Sequence, residues 1–248
     1  HQMEPMIDIL VIGDGCMDCY TYCDTHRLAP EAPVPVLDVS RVEEMPGMAM
    51  NVYENVCSFT TSCGWVTNDN WVDVVKSRYV HTHSSQHFIR IDTGSIDQRV
   101  DLDSLELDRY QTIIISDYDK GFLHTDDIKF ICNNHPQVFL DTKKVLGTWA
   151  FNAKYIKINQ HEYERSRPYL DGIGKSQLIK TMGGDGCEFN GKVYPVDKVE
   201  VLDVSGAGDT FIAALAHKFT RESDIDKAIN FANYCASQVV QMRGTTTL

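Results

Sequence analysis

The stretch Gly206-Ala207-Gly208-Asp209 combines residue types whose chemistry can be read from spacing alone. Val199 and Val201 alternate like a strand end, two glycines bracket a tight turn, and Phe211-Ile212-Ala213-Ala214-Leu215-Ala216 then reads as a buried helix. The first amides of a helix lack partners within it and lie at the positive end of its dipole, so such a turn is a ready anion site. Asp209 places a carboxylate beside that site. Aspartate is also a common helix cap, and the turn alone leaves both roles open.

Other residue clusters invite chemistry and carry less of it. Cys16, Cys19 and Cys23 have the spacing C-x2-C-x3-C, but no second cluster completes a zinc or redox site, so they read as free thiols. His81, His83 and His87 would share one face of a strand and are expected to be surface histidines. Gly13-x-Gly15 lacks the third glycine of a dinucleotide fingerprint.

The elements that must position Asp209 follow from hydrophobic patterning. Ile7 to Ile12 is nearly continuous in apolar residues, as in a strand buried on both faces of a parallel sheet. From residue 105 onward the runs Ile113-Ile114-Ile115, Val138-Phe139-Leu140, Tyr155-Ile156-Lys157-Ile158 and Leu178-Ile179 recur with helix-like stretches between several of them, the α/β signature. Polar residues stand at exit after exit: Asp14, Ser116-Asp117, Asp141, Asn159 and Thr181-Met182-Gly183. In open α/β sheets the ligand lies beyond the carboxyl ends of the strands, so these five exits predict one shared site. Ala29 to Val42 is proline-rich and then alternates, which predicts a small antiparallel flap of edge strands. Phe88-Ile89-Arg90-Ile91-Asp92 would pair with it. Pro46 to Asn51 reads as a helix start that continues through Val52, Val56 and Phe59. Residues 60–85 are the least readable part.

The bulk numbers exclude several classes. The chain has 248 residues, of which 43% are hydrophobic and 23% charged, enough for a substantial core and unlike a disordered chain. Its net charge of −12 argues against nucleic acid, whose phosphate backbone needs a basic surface. No apolar run approaches the roughly 20 residues that span a bilayer. The residues His1 to Pro5 have neither a basic nor an apolar secretory region, and eight cysteines in so long a chain suit a reducing cytoplasm, the location we expect.

With these residues in view, the sequence resembles the ribokinase-like, phosphofructokinase-B type carbohydrate kinases. Asp203-x-Ser205-Gly206-Ala207-Gly208-Asp209-Thr210 resembles that family's C-terminal signature. Gly13-Asp14…Asp18-x-Tyr20, Pro30 to Val36, Ser116 to Gly121, Asp141-Thr142-Lys143, Phe231-Ala232-Asn233 and Gly244 to Thr247 are similar to the branch acting on heptose 7-phosphates. The resemblance implies a ribokinase-like three-layer α/β sandwich with a central, mostly parallel sheet and a small β-strand lid. It implies one kinase domain over 1–248, with lid strands from about 17–45 and 86–102. It implies ATP-dependent phosphorylation of a sugar or sugar phosphate, with Asp209 as base and the amides of Gly206, Ala207 and Gly208 stabilising the transferred phosphoryl group.

By the same resemblance, Asp14, Asp18, Gly47, Asn51, Asp117 and Lys120 fall on the sugar side. Lys143, Asn159, Thr181, Gly183, Gly186 and Asn233 fall on the ATP side. Asn159 and Glu162 would help hold Mg²⁺, partly through water. Asp203 and Ser205, with carbonyls near Gly244, resemble a monovalent-cation loop suited to K⁺. A homodimer through the lid is expected, with no nucleic-acid or membrane partner. Four departures mark the sugar side and the periphery. Met48 stands where the family has a second glycine, and Cys19 replaces an arginine near the sugar. The region after Cys63-Gly64 is short by about one strand–helix unit, and the family's helix after Gly244-Thr245 is missing. A degenerate kinase acting as a sugar- or nucleotide-binding regulator, and a kinase for another hexose or a nucleoside, remain open as alternatives.

Overall fold

The computed structural model describes residues 4–242. In chain order the strands and helices are β1 (Ile7–Gly13), β2 (Gly15–Asp24), β3 (Asp38–Met48), α1 (Ala49–Phe59), β4 (Cys63–Val66), β5 (Val75–His81), β6 (His87–Thr93) and β7 (Tyr110–Asp117). Then follow α2 (Thr125–Asn133), β8 (Val138–Thr142), β9 (Tyr155–Asn159), α3 (Gln160–Ser166), β10 (Leu178–Thr181), β11 (Cys187–Phe189), β12 (Lys192–Tyr194), α4 (Ala207–Glu222) and α5 (Ile225–Val239).

Among the described residues, eight strands form a central sheet in the order β12-β11-β10-β9-β8-β7-β1-β4, parallel from β10 through β4 with an antiparallel edge of β11 and β12. The apolar run of β1 is explained by its two buried faces. Ile9 and Val11 pack into one core with α1, α4 and α5, while Leu10 and Ile12 pack into another with Ile128 and Ile131 of α2. The result is the ribokinase-like three-layer arrangement. Helix α4 is buried along Asp209 to Ala216, and its alanines let it lie close to the sheet while α5 covers its other side.

A second sheet of four strands runs in the order β3-β2-β5-β6. Strand β3 is antiparallel to β2 at one edge, β2 is parallel to β5, and β6 closes the other edge antiparallel to β5. The prolines at 30, 33 and 35 lie in the connection before β3, where no ladder amide is needed. Four sequence expectations change here. Pro46, Gly47 and Met48 end strand β3, and the helix starts at Ala49. Phe88 to Asp92 pairs with β5, inside the unread region 60–85, and not with the proline-rich segment. His81 and His87 belong to two different strands and His83 to the turn between them, so they line no common strand face. Val199 and Val201 join neither sheet; Leu202 and Asp203 instead donate their amides to the Val240 carbonyl at the end of α5. Between β4 and β5 there is no helix, in keeping with the shortened middle. No helix among the described residues is long and apolar enough to cross a membrane.

Candidate active site

The parallel strands β1, β7, β8, β9 and β10 end side by side, so Asp14, Asp117, Asp141, Asn159 and Thr181 emerge along one edge of the sheet. Asp209, in the first turn of α4, is buried there at 6% exposure. Asn51 Nδ2 of α1 donates to its Oδ2 at 2.9 Å, and the Tyr118 hydroxyl donates to its Oδ1 at 2.5 Å. Burial raises the Asp209 pKa; the bonds from Tyr118 and Asn51 oppose that rise, Asp141 adds to it, and Lys157 opposes it. The carboxylate is therefore desolvated yet held ionisable by two donors.

The turn before Asp209 has Gly206 in the left-handed region at φ 76°. The Ala207 amide turns back to the Val204 carbonyl at 3.3 Å, while those of Gly208 and Asp209 meet no acceptor among the described residues. The Gly206 amide likewise meets no acceptor among the described residues, so two of the three amides expected to face an anion, with that of Asp209, are left without a partner. Lys157 Nζ presses on this turn: a Cβ on Gly208 would sit 2.7 Å from it, and the ammonium bonds Asp141 Oδ2 at 3.1 Å in a pair that is almost fully buried.

On one flank of Asp209 a cleft of about 340 Å³ opens between the β10–β11 turn, the segment 196–204 and helices α4 and α5. Thr181, Gly183, Gly186, Asn233, Ala207 and Gly208 line it, so every predicted member of the ATP side except Lys143 and Asn159 falls in one cavity. Val196, Val199, Val201, Phe211, Ala236 and Val240 make its walls largely apolar, suited to a flat ring system. Gly186 is there for backbone reasons: φ is 81° and a Cβ would meet the Tyr194 carbonyl oxygen at 2.0 Å.

Asn159 and Glu162 cap α3 reciprocally, with the Glu162 amide on Asn159 Oδ1 at 2.7 Å and the Asn159 amide on Glu162 Oε1 at 3.0 Å. The remaining oxygen, Glu162 Oε2, is buried without a hydrogen bond and has the Lys143 ammonium 3.4 Å away. Asp141 Oδ1 is also buried and unbonded. Orphaned carboxylate oxygens are hard ligands, and they fit a magnesium ion held partly through water. Asp203 Oδ1 accepts from the Ser205 amide at 2.7 Å, and Gly244, the other part of the expected monovalent-cation loop, lies outside the described residues.

On the other flank lies the four-stranded sheet. Paired residues in neighbouring strands share a face, so Asp18 and Tyr20 face the same side as Lys76, Arg78, Arg90 and Asp92. Arg78 Nη1 bonds Asp18 Oδ1 at 2.9 Å. Gly47, across from Cys16, makes room for that carboxylate, since a Cβ would lie 2.6 Å from Asp18 Oδ2. Cys19 points to the opposite face, so its replacement of an arginine removes no cation from the side occupied by Asp18. Met48 does carry strain, at φ 54° with its side chain buried against Cys16 and Val74.

Asp14 is fully buried and accepts the amides of Tyr118 at 2.7 Å and Lys120 at 2.8 Å. Burial and the nearby Asp117 push its pKa up to about 6. Asp117 lies beneath that loop, bonded to Thr142, the Asp119 amide and Lys144. These two carboxylates shape the loop that carries Tyr118, and the Lys120 side chain is left exposed. Tyr118, Lys157 and Arg78 are the contributors that sequence reading passed over. A lysine in an otherwise buried strand was the available signal for Lys157.

Similarity to known proteins runs along nearly the whole chain. Residues 129–248 match the pfkB family carbohydrate kinase model. The chain is 29% identical over 294 aligned positions to the bifunctional protein HldE of Vibrio atlanticus, covering 97% of the chain and 61% of that protein. It therefore spans about three-fifths of the length of this relative. The ribokinase structure from Thermotoga maritima superposes with a TM-score of 0.75 at 16% identity, covering 97% of this chain and 95% of that one. The Arabidopsis thaliana ribokinase complexed with ribose and ATP gives 0.68 at 15% identity, covering 97% and 94%.

Proposed function

We propose that the chain is a carbohydrate kinase of the pfkB type, whose family model matches residues 129–248, and that it transfers the terminal phosphoryl group of ATP to a hydroxyl of a sugar phosphate of the heptose 7-phosphate class. The observation that carries this reading is the position of Asp209, buried between an apolar cleft on one flank and the charged face of the four-stranded sheet on the other. The likeness of the chain to HldE supports the heptose phosphate, and the ATP seen with the Arabidopsis ribokinase supports the nucleotide.

In this mechanism the nucleotide's ring lies in the cleft, and its phosphates lie against the N-terminus of α4, where the Gly208 and Asp209 amides and the ends of Lys143 and Lys157 concentrate positive charge. Asp209 accepts the proton of the sugar hydroxyl as its oxygen bonds to phosphorus and the bond from phosphorus to the ADP oxygen breaks. Asn51 and Tyr118 hold the carboxylate in place for that transfer. Asp14 and Asp18 anchor the sugar side, Asp14 by holding the Tyr118–Lys120 loop. Glu162, oriented by Asn159, would hold magnesium, which when bound neutralises charge on the phosphates. The sheet's far face exposes Val42, Ile89 and Ile91, which suits a lid covered by a second subunit. Eight free cysteines suit a reducing cytoplasm.

The test is ADP release against a panel of sugars and sugar phosphates, with Asp209→Asn as background. A heptose 7-phosphate should stimulate release well above that background. If no acceptor does, the kinase reading fails; a sugar phosphate that raises Tm without turnover would favour a binding protein.

A further inference from the structure

The site-facing side of the four-stranded sheet is positively charged in a chain of net charge −12. Arg41, Lys76, Arg78 and Arg90 share that face with Glu43, Asp18 and Asp92 as countercharges in the paired rows, and Glu43 is taken up by Arg41 at 3.1 Å. Asp18 is neutralised by Arg78, and Asp92 accepts a two-pronged bond from Arg90 at 2.7 and 2.8 Å. Lys76 is left over: it makes no ion pair among the described residues although it is partly buried. An ammonium withdrawn from water without a counterion is costly, which marks a place where an anion belongs. Its Nζ lies 5.5 Å from the centre of the Tyr118 ring, whose hydroxyl is bonded to Asp209.

The neighbouring loop adds a further cation. Lys120 sits two residues after Tyr118, in the loop held down by Asp14, and its side chain is exposed. The Asp92 carboxyl is held below its usual range by the Arg90 bond, and the charges of Lys76 and Lys120 lower it further. Burial, the largest influence, pulls the Lys76 pKa down, with Arg90 and Lys120 adding like-charge repulsion. A second ammonium, that of Lys143, lies 5.2 Å from the same tyrosine ring but is paired with Glu162 on the α3 side. Tyr118 thus stands between two cationic places, only one of which lies toward the nucleotide cleft.

We propose that Lys76, with Lys120 and Arg90, forms the subsite for the phosphate that the acceptor sugar already carries, distinct from the place where the transferred phosphoryl group is held. This rests on the sugar-phosphate reading above and adds the residues that would enforce it. A phosphate dianion would supply Lys76 with its missing counterion and leave both arginine–aspartate pairs intact. Without that group an acceptor would leave the ammonium partly buried and unpaired, so unphosphorylated sugars would be rejected.

The experiment compares wild type, Lys76→Met and Lys76→Arg with a heptose 7-phosphate and with the same heptose lacking phosphate. Preference for the phosphorylated acceptor, as a ratio of kcat/KM values, should fall about ten- to a hundredfold in Lys76→Met, the worth of one hydrogen bond to a charged group, and recover in large part in Lys76→Arg. An equal loss on both acceptors, or a loss confined to the KM for ATP, overturns the proposal. Calorimetric titration of the sugar phosphate without ATP separates the two readings. If wild type binds it and Lys76→Met does not, the subsite stands even where turnover is absent and the kinase reading has failed. If both bind it equally, or neither binds it, the subsite is wrong. Equal Tm values for the three proteins verify that each is folded.

Discussion

In the proposed mechanism the two flanks of Asp209 recognise their ligands by different means. The nucleotide flank is built from backbone and apolar surface: Gly183, Gly186 and Gly208 with valines and Phe211 around them. The acceptor flank is built from charged side chains that bond one another, with Asp18 on Arg78, Asp14 on the amides of a loop, and Asn51 and Tyr118 on Asp209. A backbone cradle reads a feature common to all nucleotides and tolerates little change. A side-chain network can be rewired one residue at a time, and it is there that Met48 departs from the family's glycine pair. Nucleotide choice and acceptor choice are therefore expected to respond to different mutations.

The largest effect within this comparison should come from Gly208→Ala. The added Cβ would lie 2.7 Å from Lys157 Nζ, displacing the ammonium and the turn together. Loss of one positioned donor typically costs about 10²–10³-fold in rate, and steady-state kcat should fall by at least the lower figure. If kcat holds and only KM for the acceptor rises, the turn does not face the transferred group.

Tyr118→Phe should lower kcat about tenfold or more, as for loss of a hydrogen bond to a charged group. It also carries a sign. Tyr118 opposes the upward push of burial on Asp209, so removing its hydroxyl raises the base's pKa further. Activity needs the ionised carboxylate, and the acid limb of the kcat–pH profile should move to higher pH. A limb that stays in place would deny Asp209 the role of base.

Gly186→Ala should act through the nucleotide flank alone. Its Cβ would overlap the Tyr194 carbonyl at a φ of 81°, a strain of about 1–3 kcal/mol that lowers Tm and raises KM for ATP. A matching rise in KM for the acceptor would show that the flanks are not separable. The smallest effect is expected from Met48→Gly. Relief of the left-handed backbone, about 1 kcal/mol, offsets lost packing against Cys16 and Val74, so Tm should shift little while acceptor KM changes and ATP KM does not.

The same contrast explains what could be read from the sequence. The parallel α/β sheet was legible from apolar runs because β1, β7, β8 and β9 are buried on both faces, and the strand exits followed with it. Thr181, Gly183, Gly186 and Asn233 were assigned to the ATP side through the family resemblance, not through local pattern, and the structure places all four along one cleft. Strand β5, unlike β1, was illegible. Its alternation puts Lys76 and Arg78 toward the site and Tyr79 away from it, so the polar face is the functional one and no apolar stripe announces a strand. Val199 and Val201 misled in the other direction, alternating to line a cleft without any strand beside them. Tyr118 lies in a loop whose course is set by Asp14 from another part of the chain, information that local pattern does not hold.

The measurement that bears most directly on the central claim is single-turnover transfer of labelled phosphate from ATP to a heptose 7-phosphate by wild type and Asp209→Asn, with the binding of both ligands titrated alongside. Removal of a general base from a preorganised site should lower the transfer rate by about 10²–10⁴-fold, with ATP and sugar phosphate still bound by the variant. Transfer at an undiminished rate by Asp209→Asn would contradict the account and return Asp209 to the role of a helix cap.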